Sequence, residues 1–236
     1  MRRRRLFAAA SKDPPLARKS SCDRHDRPPR FFLASFQPLS HTDAGRKASE
    51  KFGLPLFIDG SCRREPDLDG TLPSITALCR GWNFAPRLCV GDSVVYMTIK
   101  FGRTPETRVR HLVAALKVVR RFETHSAAKR WYAEQGEKVT SNCCVRGNPA
   151  VPIVETSYPH WDLAEWDSYY VSISKSIGVF LACKAVAVRL IEPPILTDKA
   201  LVQIFKKIPC TQTPPEIEQR QFERLVALLR APTPKS

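Results

Sequence analysis

Within seven residues, Asp59-Gly60-Ser61-Cys62-Arg63-Arg64-Glu65, the chain sets two carboxylates, a thiol, a hydroxyl and two guanidinium groups. Carboxylates serve as general acids and bases once an environment shifts their pKa, and a thiol is a nucleophile when it ionises. Asp59, Cys62 and Glu65 are therefore the catalytic candidates. The stretch lies between two apolar runs, 54–58 and 75–78, and groups at strand ends can converge on one mouth.

Around these residues run the cations. Arg63, Arg64, Arg80 and Arg87 fall among the expected strands and Lys100 ends one of them, while Trp82 lies between Arg80 and Arg87. Guanidinium forks fit phosphate oxygens or the O6/N7 edge of guanine, and an aromatic ring between them offers a stacking platform. Asn142, in the loop after an expected helix, has the amide that reads an adenine edge. These seven are the ligand or nucleic-acid candidates. Each has a plainer alternative: Arg63 and Arg64 pairing with Glu65, Asp67 and Asp69 on the surface, Trp82 plugging the core, Asn142 making a turn.

Metal and thiol chemistry find less support. Asp59, Glu65, Asp67 and Asp69 could hold a divalent ion, but a nuclease pattern beginning at Pro66-Asp67 wants an acid two residues before Lys100, where Thr98 stands. The eight cysteines form no CxxC pair, so no zinc site is expected. A pairing of Cys62 or Cys79 with His111 or His125 needs a proximity that spacing does not supply. The sequence thus indicates no metal, no cofactor and no oligomeric state.

The elements that must position these groups are partly legible. Residues 54–58, 75–78 and 94–99 read as strands, with Gly91-Asp92 as the turn before the third. Residues 112–122 fit either a helix or a strand, and the β-branched Val113, Val118 and Val119 favour a strand in a hairpin with 94–99. Ser126 starts a helix that Gly136 stops, and 185–191 form a closing strand. Two amphipathic helices follow: one capped by Thr197 or Asp198 with the stripe Leu201, Ile204, Phe205 and Ile208, the other opening at Thr213-Pro214-Pro215-Glu216 with Phe222, Leu225, Val226 and Leu229. Both stripes are expected to lie on the sheet.

A length of 236 residues accommodates one good core with appendages. The division expected is a disordered basic arm over 1–46, a domain over 51–193 and a helical extension over 194–236. Net charge is +15; residues 1–50 hold 12 Lys and Arg against 5 Asp and Glu, a net of +7, so the remainder is also basic at +8. Such a balance draws phosphate polymers. No apolar run reaches the ~20 residues that a spanning helix needs, so no membrane is expected. Reduced thiols in a cytoplasm are the expected setting.

The order of an Asp-Gly strand end, Cys79-Arg80, Pro86-Arg87, Gly91-Asp92, Val94-Val95-Tyr96 and Leu112-Val113-Ala114-Ala115-Leu116-Lys117-Val118 resembles the nucleotide-modification-associated domains. More distantly it is similar to the PUA-like barrels that include the ASCH, EVE and YTH modules. The similarity covers residues 54–135, and the ring of three tryptophans used by YTH-type readers is missing. It implies an α+β fold, either a small PUA-like β-barrel or a strongly bent mixed sheet with packed helices, and a pocket for a base taken out of its stack. The leading expectation is a module binding nucleic acid or a nucleotide, including a modified base. An enzyme of nucleotide or nucleic-acid modification using Asp59, Cys62 and Glu65 is the alternative, and an interaction scaffold the second.

Overall fold

Gly91 takes a φ of +93°, the left-handed region a turn needs, and the strand announced by Gly91-Asp92 follows at once. The computed structural model, which describes residues 27–78, 83–102, 104 and 108–232, builds outward from this strand. In chain order the strands are β1 (Phe31–Phe36), β2 (Ser74–Thr76), β3 (Ser93–Thr98), β4 (Arg110–Phe122), β5 (Phe180–Val188), β6 (Ile195–Leu196) and β7 (Glu216–Ile217). Among the described residues they form one seven-stranded mixed sheet ordered β2-β5-β4-β3-β1-β7, with β6 alongside the first residues of β4.

The fold is α+β, as expected, and the sheet is open: β2 and β7 are its two edges, so it does not close into a barrel. Register shifts interrupt the β3–β4 and β4–β5 pairings. Each such bulge bends and twists the strand that carries it.

The described residues also form five α-helices, α1 (Asp43–Phe52), α2 (His125–Glu134), α3 (Leu163–Ser176), α4 (Asp198–Phe205) and α5 (Gln219–Arg230), of which α2, α4 and α5 cover the sheet. Thr42, Thr124, Asp162 and Thr197 each accept a hydrogen bond from the third residue beyond them, satisfying an amide that the helix leaves orphaned. On α5 Glu218 and Gln221 complete a capping box, several residues after the Thr213 expected from sequence. The α4 and α5 stripes lie on the sheet through Leu201, Ile204, Leu225 and Leu229 against Leu33, Val95, Leu112 and Ala115. On the opposite face Phe32, Phe36, Val94, Tyr96, Leu116 and Leu181 form the larger core. No helix among the described residues is long and apolar enough to cross a membrane.

Two expectations are corrected. The arm over 1–46 does not run that far: Phe31–Phe36 is an interior strand, parallel to β3 along its whole length, and α1 begins at Asp43. Asp92 anchors the approach to β1, accepting from the Arg27 guanidinium at 2.7 Å, that of Arg30 at 3.1 Å and the backbone N–H groups of Arg30 and Cys89. Composition averaged over 1–46 hides six residues in which four are large and apolar. The strand expected over 54–58 is also absent; Leu56 and Phe57 lie in a turn, and the segment meets the residues after β1 through the Leu39 and Ser40 N–H groups, which donate to the Ile58 and Leu56 carbonyls, and a bridge between Asp59 and Pro38.

Candidate functional site

The knot at 59–67 is buried end to end. Asp59 accepts from the Ser61 N–H and hydroxyl, and Arg64 donates to the Asp59 carbonyl at 2.8 Å. Glu65 accepts from the Thr76 N–H and hydroxyl on β2 and from the Asn142 amide at 3.1 Å. Asp67 accepts from the Ser141 N–H and hydroxyl. Arg63 forks onto Asp167 of α3 and donates to the carbonyls of Ser141 and Asn148, each at 2.9 Å. The knot and the 140–148 loop thus hold one another at the sheet edge and dock α3 onto it.

This geometry changes the reading of the sequence candidates. Asp59, Cys62 and Glu65 do come near one another, but at 6, 0 and 7% exposure they line no mouth. Burial lifts the Asp59 carboxyl to about 6 against the hydrogen bonds from Ser61. It lifts Glu65 further, to about 8, with the Asp59 charge adding to the push and the Thr76 and Asn142 bonds opposing it. Burial also pushes the Cys62 thiol up to about 12, which leaves no thiolate to attack anything. The catalytic candidates are therefore structural in this conformation.

The binding candidates divide. Arg63 and Arg64, at 2 and 6% exposure, and fully buried Asn142 donate to groups inside the protein, so they present nothing to a phosphate or a base. Lys100 is exposed and sits 2.8 Å from Asp198, which Arg110 shares. Arg87 is exposed, with its guanidinium 5.7 Å from the centre of the Phe32 ring. Arg80, Trp82 and Cys79 lie outside the described residues. His125 is buried at the start of α2 and accepts from the Cys144 N–H, with burial and then Arg63 lowering its pKa to about 4. It therefore neighbours the inert thiols of Cys143 and Cys144, not Cys62.

Among the described residues five cysteines are free, whereas Cys89 is disulfide-bonded, so the expectation of reduced thiols fails for Cys89. Among the described residues no group of three or more potential ligands is placed to hold a metal ion.

A cleft that sequence reasoning missed opens at the start of α1. His41, Thr42, Asp43 and Arg46 form one side and Phe101 and Gly102, just after β3, the other, around a space of about 730 Å³. Two aromatic rings line it, Phe101 and His41, with centres 5.9 Å apart, and Phe101 packs in turn against His111 at 5.6 Å and Phe57 at 6.5 Å. Thr42 holds the wall in place by capping α1 and donating to the Ser157 carbonyl at 3.0 Å. Gly45 lets the helix come this close, since a Cβ there would stand 1.7 Å from the Leu39 carbonyl oxygen.

The Nδ1 atoms of His41 and His111 are buried without a hydrogen-bond partner. Burial lowers both imidazoles, with Arg46 adding to the effect on His41, so both are neutral at neutral pH and each ring has one donor and one acceptor. Asp43 and Arg46 pair at the rim. A flat, uncharged heteroaromatic ring with polar edges suits such walls better than a bare anion. The residues come from two places 60 positions apart; the only local sign was a histidine directly before a Thr-Asp helix start.

Comparisons against protein-family models, curated proteins and solved structures found no match to this chain.

Proposed function

We propose that this protein is a nucleotide- or nucleic-acid-binding module whose cleft between α1 and Phe101 admits a base. The observation that carries this reading is the pair of aromatic rings lining the cleft, Phe101 and His41 with centres 5.9 Å apart, with His111 and Phe57 packed against Phe101. Every base has a π-face to stack and polar edges to pair, and stacking on an aromatic side chain contributes about 1–3 kcal/mol. The resemblance to nucleotide-modification-associated domains extends the reading to a modified base, and the basic charge balance agrees with a phosphate-bearing ligand. A cytoplasmic setting belongs to the same proposal, favoured by the five free thiols among the described residues and opposed by the disulfide at Cys89.

Calorimetric titration with the four ribonucleoside monophosphates, repeated on Phe101→Ala, tests the cleft. Loss of the stacking surface should weaken binding by roughly 5- to 150-fold, the equivalent of that stacking energy. Absence of binding to the unaltered protein, or equal affinity in the variant, would remove the cleft from the account.

A further inference from the structure

Lys117 on β4 and Lys184 on β5 are cross-strand partners, directly opposite in the antiparallel register. Side chains so placed have Cβ atoms roughly 5 Å apart, and like charges there destabilise a sheet. Both lysines are exposed. Their strand neighbours Val118 and Cys183 point into the core on the other face, so the two ammonium groups share the face that carries α2, α4 and α5.

A bulge brings a third cation to the same face. Regular alternation from Lys117 would turn residue 120 toward the opposite side. The register shift between Val118 and Arg120 instead pairs Arg120 with Ala182, two residues from Lys184 and therefore on its face. Arg120 is exposed, whereas Arg121 next to it is consumed by Glu123 and by the Leu88 carbonyl at 2.9 Å. Arg230, from the end of α5, extends the row by donating to the Val186 carbonyl at 3.0 Å.

The helices leave this strip bare. The core under α2 takes Phe122, Phe180 and Ala182, and the core under α4 and α5 takes Leu112, Ala115 and Ala187. Lys117, Arg120 and Lys184 fall between the two, and among the described residues none of the three meets a carboxylate.

We propose that this strip on β4 and β5 is a track for the phosphate backbone of a nucleic-acid strand, contacted by Lys117, Arg120 and Lys184. A row of exposed like charges on one face, with no counter-charge among the described residues, is complementary to a polyanion. The assignment rests on the proposed nucleic-acid function and narrows its ligand from a free nucleotide to a polymer. The cleft and the strip take different parts of that ligand and fail separately.

The test uses the full chain, the triple variant Lys117→Gln/Arg120→Gln/Lys184→Gln, and a charge-matched control, Lys51→Gln/Lys175→Gln/Lys199→Gln, at exposed helix positions. A fluorescein-labelled single-stranded oligonucleotide is titrated across a salt series. Removing three phosphate contacts should reduce the slope of log K against log salt by about 2, while the control keeps the original slope. The melting temperature of the strip variant should equal or exceed the parent's, because repulsion is relieved. An unchanged slope in the strip variant, or an equal fall in both variants, overturns the proposal. So does binding of phosphatidylserine vesicles or polyglutamate in preference to the oligonucleotide. Oligonucleotide binding that depends on the strip while no nucleoside monophosphate binds would overturn the cleft alone; monophosphate binding without oligonucleotide binding would overturn the strip alone.

Discussion

Glu65 is a buried carboxyl with three hydrogen-bond donors around it, and the balance of burial against those bonds sets its behaviour. Burial outweighs the donors, so its pKa rises from 4.5 to about 8, and Asp59 rises from 3.8 to about 6. Between the unfolded and folded values the native state binds the extra proton, so stability falls as pH increases. The contribution of Glu65 is complete below pH 4.5 and is lost as pH climbs through about 8; Asp59 adds to the decline between 3.8 and about 6. Thermal melts from pH 5 to pH 9 should therefore show a falling melting temperature, with a slope in stability of roughly one kcal/mol per pH unit. Glu65→Gln keeps an acceptor for Thr76 and cannot ionise, so it should flatten the curve above pH 6. A melting temperature that rises over this range, or a variant with the parent's profile, would show that Glu65 is charged in the fold.

At the scale of elements, local signals were sufficient where periodicity and caps agreed. β3, β4, α2 and α4 appear where Gly91, the β-branched run after Leu112, the Ala pair at 127–128 and Thr197 place them. α3 had a legible start in Asp162 followed three residues later by Glu165, obscured by the aromatic content of the segment. The knot was recognised as a convergence point, but its inward direction was not legible, because Arg63 finds Asp167 at a separation of 104 residues. The same holds for the cleft, whose walls meet only after β1 and β3 pair in parallel and bring α1 beside Phe101. β1 carries the sharpest consequence. Leu33, fully buried beneath α5, becomes an unpaired buried charge in Leu33→Asp, which should cost more than about 4 kcal/mol. Leu228→Asp on the exposed side of α5 should stay within about 0.5 kcal/mol. Urea titrations decide it: near-parental stability of the Leu33 variant would place β1 outside the cooperative core.

Across the whole molecule, many cations are spent on architecture. Arg27 and Arg30 hold Asp92, Arg63 holds Asp167, Lys100 and Arg110 share Asp198, and Arg121 holds Glu123. The overall +15 therefore describes partner attraction poorly until these are set aside, and the unpaired row on β4 and β5 stands out from them. The cleft is lined by contrast by the rings of Phe101 and His41 and by the Asp43–Arg46 pair, whose charges offset one another, so that shape and hydrogen bonding rather than net charge would select the ligand. His41 reports directly on occupancy, and His111 reports through its contact with Phe101. With histidine side chains labelled with ¹⁵N, titration with nucleoside monophosphates should move the ring resonances of His41 and His111 saturably. Those of His125, buried against Cys144 and Phe180, should stay in place. Ring resonances of His41 and His111 that do not respond, or a shift shared equally by His125, would contradict a base in the cleft.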